Sequence, residues 1–241
     1  MSDIRLILAS ASPARLATLQ RAGVNPIVRV SGVDERAVTR EATERFGGPL
    51  DPADTALLLA QAKAEAVARD LNETDRGFET PIGSSTDGEL DDDALEDDLL
   101  DNAILIGCDS ILEMGGKPYG RPADAETAIQ RIKQMSDSSG TLHTGHWLID
   151  LRSKENGGTG ATIGGTGSTI VHFGHIPDDE IEEYVATGEP LQVAGSFTVD
   201  GLGGPFIAGI EGDYHNVVGI SLPLVRALLT QIGVKWHDLR N

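Results

Sequence analysis

Short apolar runs alternate with amphipathic segments along this chain, and that pattern predicts a mixed α/β fold. The first unit has an apolar run at residues 4–8, then Ser12 and Pro13, and then an amphipathic segment that closes at Gly23. Serine is favoured as a helix cap, proline at the first helical position, and glycine just past a helix end. The pattern therefore predicts a strand, a tight turn and a helix.

The rest of the chain shows the same alternation of short strands and amphipathic helices. Further helices are predicted at residues 54–71, 124–135, 178–187 and 221–233. Further strands are predicted at residues 26–30, 103–107, 143–151, 169–174, 196–199 and 206–210. The strands at 143–151 and 169–174 are expected to pair as a hairpin.

An acidic segment at residues 72–102 interrupts this order. It holds 12 acidic residues and one arginine, so it carries a charge of 1 − 12 = −11 and leaves −8 for the rest of the chain. A dense run of like charges repels itself and is typical of a solvated, disordered insertion. A calcium-binding or partner-binding loop is the alternative, but the segment lacks the spacing of the glycine turn and terminal glutamate of a calcium loop.

A glycine-rich segment at residues 153–168 is the second interruption. It has too few large side chains to bury apolar surface, so a flexible hairpin loop is predicted there. A phosphate-binding loop would need a Lys-Ser or Lys-Thr ending and a following helix, which this segment lacks. The two interruptions leave one α/β domain spanning residues 1–241, a length that also allows two lobes.

Charge and composition limit the classes of partner. The formal net charge of −19 opposes binding to nucleic-acid phosphates, so no nucleic-acid partner is expected. No run approaches 18 consecutive apolar residues, so no membrane association is expected. Cys108 is the only cysteine, which excludes an intramolecular disulfide. A reducing, cytoplasmic location is predicted.

Ser10, Ser12 and Arg15 lie at the first strand-to-helix turn. Free backbone N–H groups and the helix dipole make such a turn attractive to phosphate, and hydroxyl and guanidinium groups add donors. An ordinary capped helix can begin in the same way, so this motif alone is compatible with both a phosphate site and a simple helix cap.

Asp109 follows an apolar strand, a place where ligands gather in open α/β sheets, although a turn or cap residue would also suit it. Lys63 lies on the polar side of an alanine-rich helix, where a solvated surface lysine is the alternative. A thiol enzyme using Cys108 with His143 is a weaker alternative, because no cationic group adjoins this cysteine in the sequence.

Several motifs become specific when they are taken in their order along the chain. They are the segments 6–15 (LILASASPAR), 33–35 (VDE), 62–64 (AKA), 106–110 (IGCDS), 184–190 (YVATGEP), 194–197 (AGSF) and 211–224 (EGDYHNVVGISLPL). Together they resemble the Maf family of nucleoside triphosphate pyrophosphatases. The resemblance runs from about residue 4 to residue 233, apart from the two interruptions.

This resemblance implies an α/β fold with a mixed sheet, flanking helices and two lobes around a central cleft, similar to the inosine triphosphate pyrophosphatases. It implies a cytoplasmic homodimer that hydrolyses a nucleoside triphosphate to the monophosphate and pyrophosphate with magnesium or manganese. Noncanonical or modified nucleotides are the expected substrates. A nucleotide-binding regulator of cell division and septum formation is the alternative that the same family suggests.

The resemblance also assigns roles to single residues. Asp109 becomes the general base, a metal ligand or both, and Glu35 becomes a metal ligand. The phosphates are assigned to Ser10, Ser12, Arg15, Lys63 and Arg121. The chain departs from the family pattern at Ala14, where a first arginine is usual, and at Arg121, where a lysine is usual. Ser110 and Asp200 replace the threonine and glutamine of members that prefer thymidine and uridine triphosphates, so these two residues and Arg15 are expected to set base preference.

Overall fold

The computed structural model describes residues 4–76 and 101–240. The α-helices are α1 (Pro13–Arg21), α2 (Glu35–Phe46), α3 (Pro52–Arg76), α4 (Ala125–Met135), α5 (Asp178–Ala186), α6 (Tyr214–Val218) and α7 (Leu222–Gln231). The strands are β1 (Arg5–Ala9), β2 (Ile27–Val28), β3 (Ala103–Met114), β4 (Lys117–Tyr119), β5 (Ser139–Asp150), β6 (Thr162–Phe173) and β7 (Ile207–Glu211). Short 3₁₀ turns lie at Glu189–Gln192, Ala194–Ser196, Gly204–Phe206 and Trp236–Leu239.

These strands form one mixed sheet in the order β2-β1-β3-β5-β6-β7, with β4 paired to the far half of β3. The pairs of β1 with β2 and with β3 are parallel, whereas the others are antiparallel. Ser12 caps α1 through its side chain, and Pro13 is the first helical residue, as the sequence predicts. The predicted mixed α/β fold and the hairpin of β5 with β6 are confirmed.

Two hydrophobic cores share the long strand β3. Its first half, with Ile104, Ile106 and Cys108, packs with α1 and α7. Its second half, with Leu112 and Met114, packs with α4 and α5. The residues between Cys108 and Leu112 therefore lie where the chain passes from one core to the other.

Helix α3 crosses the sheet in close contact, and two glycines allow it. A Cβ on Gly107 would overlap the carbonyl oxygen of Ala60, and a Cβ on Gly145 would overlap that of Ala56. Gly145 lies directly opposite Asp109 in the pairing of β5 with β3. The approach of α3 over these glycines brings the middle of the helix to this level of the sheet.

The glycine-rich segment differs from the flexible loop that the sequence predicts. Strand β6 begins at Thr162, so only the first part of residues 153–168 is a connection. Close packing explains the glycines, since a Cβ on Gly164 would overlap the Trp147 ring and a Cβ on Gly167 would overlap the carboxamide of Asn216. Glycine in a strand marks such an approach of neighbouring groups.

Other boundaries also differ from the sequence-based prediction. β3 continues to Met114, so Asp109 lies inside a strand and not after its end. A 3₁₀ turn and loop replace the strand predicted at 196–199, and α2 was not predicted. α3 continues to Arg76, within the range assigned to the acidic insertion, whereas residues 77–100 lie outside the described residues. None of the described helices combines the length and apolar character needed to cross a membrane.

Candidate active site

Two carboxylates share one lysine on the face of β3 that helix α3 covers. Lys63 Nζ lies 2.7 Å from Glu35 Oε1 and 2.5 Å from Asp109 Oδ1. Lys63 and Asp109 are 9% and 8% exposed, whereas the Glu35 side chain is half-buried. Three segments that are distant in sequence, namely the start of α2, the middle of α3 and the middle of β3, thus converge on one ammonium group.

On each of the two acids, burial raises the pKa and the nearby positive charges lower it. Burial raises the pKa of Asp109 above its ordinary value, although Lys63 and Arg15 partly oppose this rise. Burial also acts to raise the pKa of Glu35, but there the hydrogen bond and charge of Lys63 prevail and lower it, with help from Arg121 and Arg15. The two carboxylates therefore have different proton affinities, as expected of a pair with separate roles.

Arg15 forms a second, separate cluster on the side of β3 that faces α1. Its Nε donates to the carbonyl oxygen of Gly219 at 2.7 Å. Its Nη1 donates to Ser10 Oγ and to the Cys108 carbonyl oxygen, both at 3.0 Å, and its Nη2 donates to Ser110 Oγ at 3.0 Å. The guanidinium group is therefore buried and joins the turn after β1, the middle of β3 and the loop after α6.

The serines of the first turn have different tasks. Ser12 Oγ accepts a 3.4 Å bond from the backbone N–H of Arg15 and so caps α1. Ser10 Oγ accepts bonds from the backbone N–H of Ser12 at 3.2 Å and from Arg15 Nη1. Ser12 is therefore partly committed to the helix, whereas the hydroxyl proton of Ser10 has no acceptor among the described residues.

A chain of hydroxyls leads away from Ser110. Ser110 Oγ lies 3.0 Å from Thr144 Oγ1, and Thr144 Oγ1 donates to the backbone carbonyl of Asn216 at 2.9 Å. Asn216 is itself fully buried, and its Nδ2 donates to the Leu142 carbonyl and to Thr169 Oγ1. In the sequence Asn216 is marked only by the motif at residues 211–224, and no local pattern marks Thr144, because the role of each residue depends on its spatial neighbours.

Two predicted site residues, Arg121 and Asp200, lie on the protein surface and not in either buried cluster. Arg121 is exposed just after β4, and its charge still lowers the pKa of Glu35, which places it at the edge of the lysine cluster. Asp200 is exposed in a turn whose next residues, Leu202 and Gly203, donate to Glu189. No contact in the described part of the chain joins Asp200 to Asp109, so its predicted role in base preference has no support from this geometry.

The structure argues against the thiol alternative. Cys108 is completely buried in the first core, and burial raises the pKa of its thiol to about 11. His143 lies opposite Ile111 in β5 and contacts Glu113 and Ser168 instead, at 3.0 and 2.8 Å. A protonated, inaccessible thiol without a histidine partner cannot act as a nucleophile.

Glu35 and Asp109 fit a divalent metal only in a limited sense. Among residues 4–76 and 101–240, no group of three histidine, cysteine or acidic side chains is arranged to hold a metal ion. Magnesium, however, is often held by one or two carboxylates together with water and substrate phosphates. The carboxylates of Glu35 and Asp109, both in contact with Lys63, match that smaller number of protein ligands.

The chain matches a family model described as Maf-like protein over residues 5–232. A Streptomyces coelicolor protein named nucleoside triphosphate pyrophosphatase is 45% identical over 235 residues, covering 98% of this chain and 94% of the relative. A Leifsonia xyli protein of the same name is 42% identical, covering 99% of this chain and 97% of the relative.

The name of one longer relative includes a second activity. A Bifidobacterium longum protein named nucleoside triphosphate pyrophosphatase/Nudix hydrolase fusion protein is 36% identical to this chain. The match covers 99% of this chain but 61% of the fusion protein. The region shared with this chain is therefore one part of that longer protein.

Proposed function

The chain belongs to the Maf-like protein family, and from this membership we propose that it hydrolyses a nucleoside triphosphate to the nucleoside monophosphate and pyrophosphate. It is a hydrolase of the nucleoside triphosphate pyrophosphatase class, as its relatives of 42–45% identity are named. The observation that carries the proposal is the buried contact of Asp109 with Lys63, which Glu35 completes.

Asp109 is the general base of the proposed reaction. Its carboxylate takes a proton from water while the water oxygen bonds to the α-phosphorus, and the α–β bridging oxygen leaves with pyrophosphate. The raised pKa of Asp109 makes its carboxylate a stronger base than an exposed aspartate, and the Lys63 ammonium stabilises its ionised form. A buried carboxylate balanced in this way suits general base catalysis near neutral pH.

Lys63 and Ser10 are the proposed contacts to the phosphates, with Arg121 at the outer edge. An ammonium has three N–H donors, and Lys63 uses two of them on Glu35 and Asp109, so the third can bind a phosphate oxygen while both carboxylate contacts remain. Ser10 lies at the N-terminal end of α1, where the helix dipole favours negative charge. These groups would stabilise charge that develops on the phosphate oxygens.

Magnesium or manganese is the proposed cofactor, with Glu35 and Asp109 as its protein ligands. When bound, the ion would neutralise charge on the phosphate oxygens and help to position the attacking water. The charge balance of the site supports this proposal. Lys63, Arg15 and Arg121 exceed the charges of Glu35 and Asp109 by only one, so the several negative charges of a triphosphate need an added cation.

The finer properties of the protein are also proposals. We propose that the substrates include noncanonical or modified nucleotides, that the protein acts in the cytoplasm, and that it forms a homodimer without nucleic-acid partners. The net charge of −19 supports the lack of a nucleic-acid partner. The family resemblance supports the other three.

The test is pyrophosphate release from a panel of canonical and modified nucleoside triphosphates with magnesium or manganese, for wild type and Asp109→Asn. Loss of the carboxylate should lower kcat by about 10²- to 10⁴-fold, because asparagine keeps the shape but cannot accept the proton. Nucleotide binding, measured by calorimetry, should change much less.

Two outcomes would contradict the proposal. Wild-type turnover in Asp109→Asn would exclude this residue as the base. Nucleotide binding by folded wild type without any pyrophosphate release would instead favour the nucleotide-binding regulator of cell division. Far-ultraviolet circular dichroism on both proteins keeps a folding defect from being taken for either result.

A further inference from the structure

The guanidinium group of Arg15 has little capacity left for a ligand. An arginine has five N–H donors, and four of those of Arg15 are used by Gly219, Ser10, Cys108 and Ser110. One N–H on Nη2 remains without an acceptor in the described part of the chain. A residue that binds the phosphates directly would need more of its donors directed outward.

The hydrogen bonds that run from Arg15 through Ser110 and Thr144 have a fixed order of donors and acceptors. Arginine can only donate, so Ser110 Oγ accepts from Nη2. Thr144 donates its own proton to the Asn216 carbonyl, so the 3.0 Å contact between the two hydroxyls must carry the Ser110 proton toward Thr144. The chain thus holds Ser110 as an acceptor for Arg15 and leaves it no proton for a substrate.

Ser10 has the opposite arrangement. Its Oγ accepts from Arg15 Nη1 and from the Ser12 backbone N–H, which occupies both lone pairs. Its hydroxyl proton is therefore left as a donor, and accepting two bonds, one of them from a cation, strengthens that donor. Ser10 is nevertheless buried and lies beside the helix N-terminus, where a phosphate oxygen would be the matching acceptor.

We propose that Arg15 is a positioning residue, not a direct phosphate ligand, and that Ser110, Thr144 and the Asn216 carbonyl hold it in place so that the Ser10 hydroxyl is presented to the triphosphate. This inference rests on the proposed function of the same site. It replaces the expectation that Arg15 binds phosphate itself, and it gives Ser110 a structural partner in place of the nucleobase.

Gly219 secures the other side of Arg15. Its φ of +120° is a conformation that side chains rarely adopt, and an added Cβ would lie 3.1 Å from Arg15 Nε. The glycine therefore allows its carbonyl to reach the guanidinium group at 2.7 Å. The loop after α6 is thereby part of the same assembly.

A double-mutant cycle of Ser10→Ala and Arg15→Lys tests the inference. Lysine keeps the charge but cannot reproduce four guanidinium contacts. Each single variant should lower kcat/KM by about 100-fold, the loss typical of one removed donor to a reacting oxyanion. The double variant should lie within about threefold of the worse single variant, because both remove one shared interaction. Losses that multiply would show that Arg15 contacts the substrate independently and would overturn the inference.

Thr144 supplies a second cycle that does not depend on the folding of Arg15→Lys. Thr144→Val should lower kcat/KM, Thr144→Ser should restore it to within about threefold of wild type, and Ser110→Ala should add little to Thr144→Val. Thr55→Val is the matched control, since that hydroxyl bonds only to the carbonyl of Asp51, the residue before its own helix, and its kcat/KM should not change. Equal losses in Thr144→Val and Thr55→Val, or a multiplicative loss with Ser110→Ala, would count against the proposal.

The cycles also separate this inference from the proposed function. If wild type releases no pyrophosphate, the proposed function fails, and both cycles are measured as calorimetric binding of an α,β-methylene nucleoside triphosphate with magnesium. Losses of affinity that do not multiply would still support the role of Arg15, whereas multiplying losses would overturn it. Absence of binding by wild type would overturn both proposals.

Discussion

Asp109 and Ser110 are neighbours in the chain, but their side chains leave β3 on opposite faces of the sheet. Asp109 contacts Lys63 of α3, whereas Ser110 contacts Arg15 of α1 and Thr144 of β5. The alternation of side chains along a strand requires this separation. The acid–lysine cluster and the guanidinium–hydroxyl cluster are therefore joined through the backbone of β3.

The charge of Lys63 should set the acidic limb of the pH profile. Lys63 lowers the pKa of Asp109 against the rise that burial causes, so its removal in Lys63→Met should raise that pKa further. The base must be ionised, and the acidic limb of kcat/KM should therefore move to higher pH, by about one unit or more. Lys63→Arg keeps the charge, and its limb should stay near that of wild type. An unmoved limb in Lys63→Met would indicate that another group is the base.

Glu35 should matter for the metal more than for the nucleotide. Glu35→Gln keeps the size of the side chain but removes a hard anionic ligand, so the magnesium concentration for half-maximal rate should rise by about tenfold or more. The rate at saturating magnesium should recover largely. Titration of activity against magnesium at fixed nucleotide provides the measurement, and an unchanged requirement would remove Glu35 from the metal site.

Gly145 should be needed for the approach of α3 to the sheet. In Gly145→Ala the new methyl group would overlap the Ala56 carbonyl, and overpacking of this kind costs about 1–3 kcal/mol in the free energy of unfolding. Gly32→Ala is the matched control because nothing lies within 4 Å of its Cβ position. Urea unfolding of both variants measures the difference, and equal stability would show that α3 can move away at no cost.

His146 should make the stability of the protein depend on pH. Its Nε2 accepts a 2.8 Å bond from the backbone N–H of Ser221, and burial, aided by the charge of Arg15, lowers its pKa to about 4. In the unfolded chain this histidine binds a proton near pH 6.5. The free energy of unfolding that the neutral, buried imidazole contributes is therefore complete above pH 6.5 and is lost as the pH falls toward 4. The shift corresponds to about 3 kcal/mol.

His146→Gln provides the comparison for that prediction. Glutamine has an acceptor that can replace Nε2 but does not titrate, so the free energy of unfolding should fall less steeply between pH 6.5 and 4. Urea unfolding at several pH values measures both slopes. Parallel slopes for the two proteins would show that other groups cause the acid sensitivity.

Sequence patterns predicted those elements whose signals are local. The caps of α1 and α7, at Ser12 and Ser221, follow from hydroxyl residues placed before proline-containing helix starts. Helix α2 was missed although Asp34 caps it and Gly47 ends it in the left-handed conformation. Only Ala42 of this helix is buried, so its apolar periodicity is weak, and the two caps were the signal that could have found it.

The glycine-rich strand was missed for a different reason. Glycine disfavours a strand because of its conformational freedom, so the sequence pattern predicts a loop at residues 162–168. The structure shows that Gly164 and Gly167 are required by Trp147 and Asn216, which approach from neighbouring elements. No local pattern contains that information, because the residues that demand the space are distant in the sequence.

The sequence by itself determined the alternation of helices and strands, the family, and the residue types of the candidate site. Only the tertiary structure decided which of them act together: Lys63 with Glu35 and Asp109 on one face, and Arg15 with Ser10, Ser110 and Thr144 on the other. The reason is physical. Local periodicity and capping depend on residues within a few positions, whereas hydrogen-bond partners and burial depend on how α1 and α3 pack against opposite faces of β3.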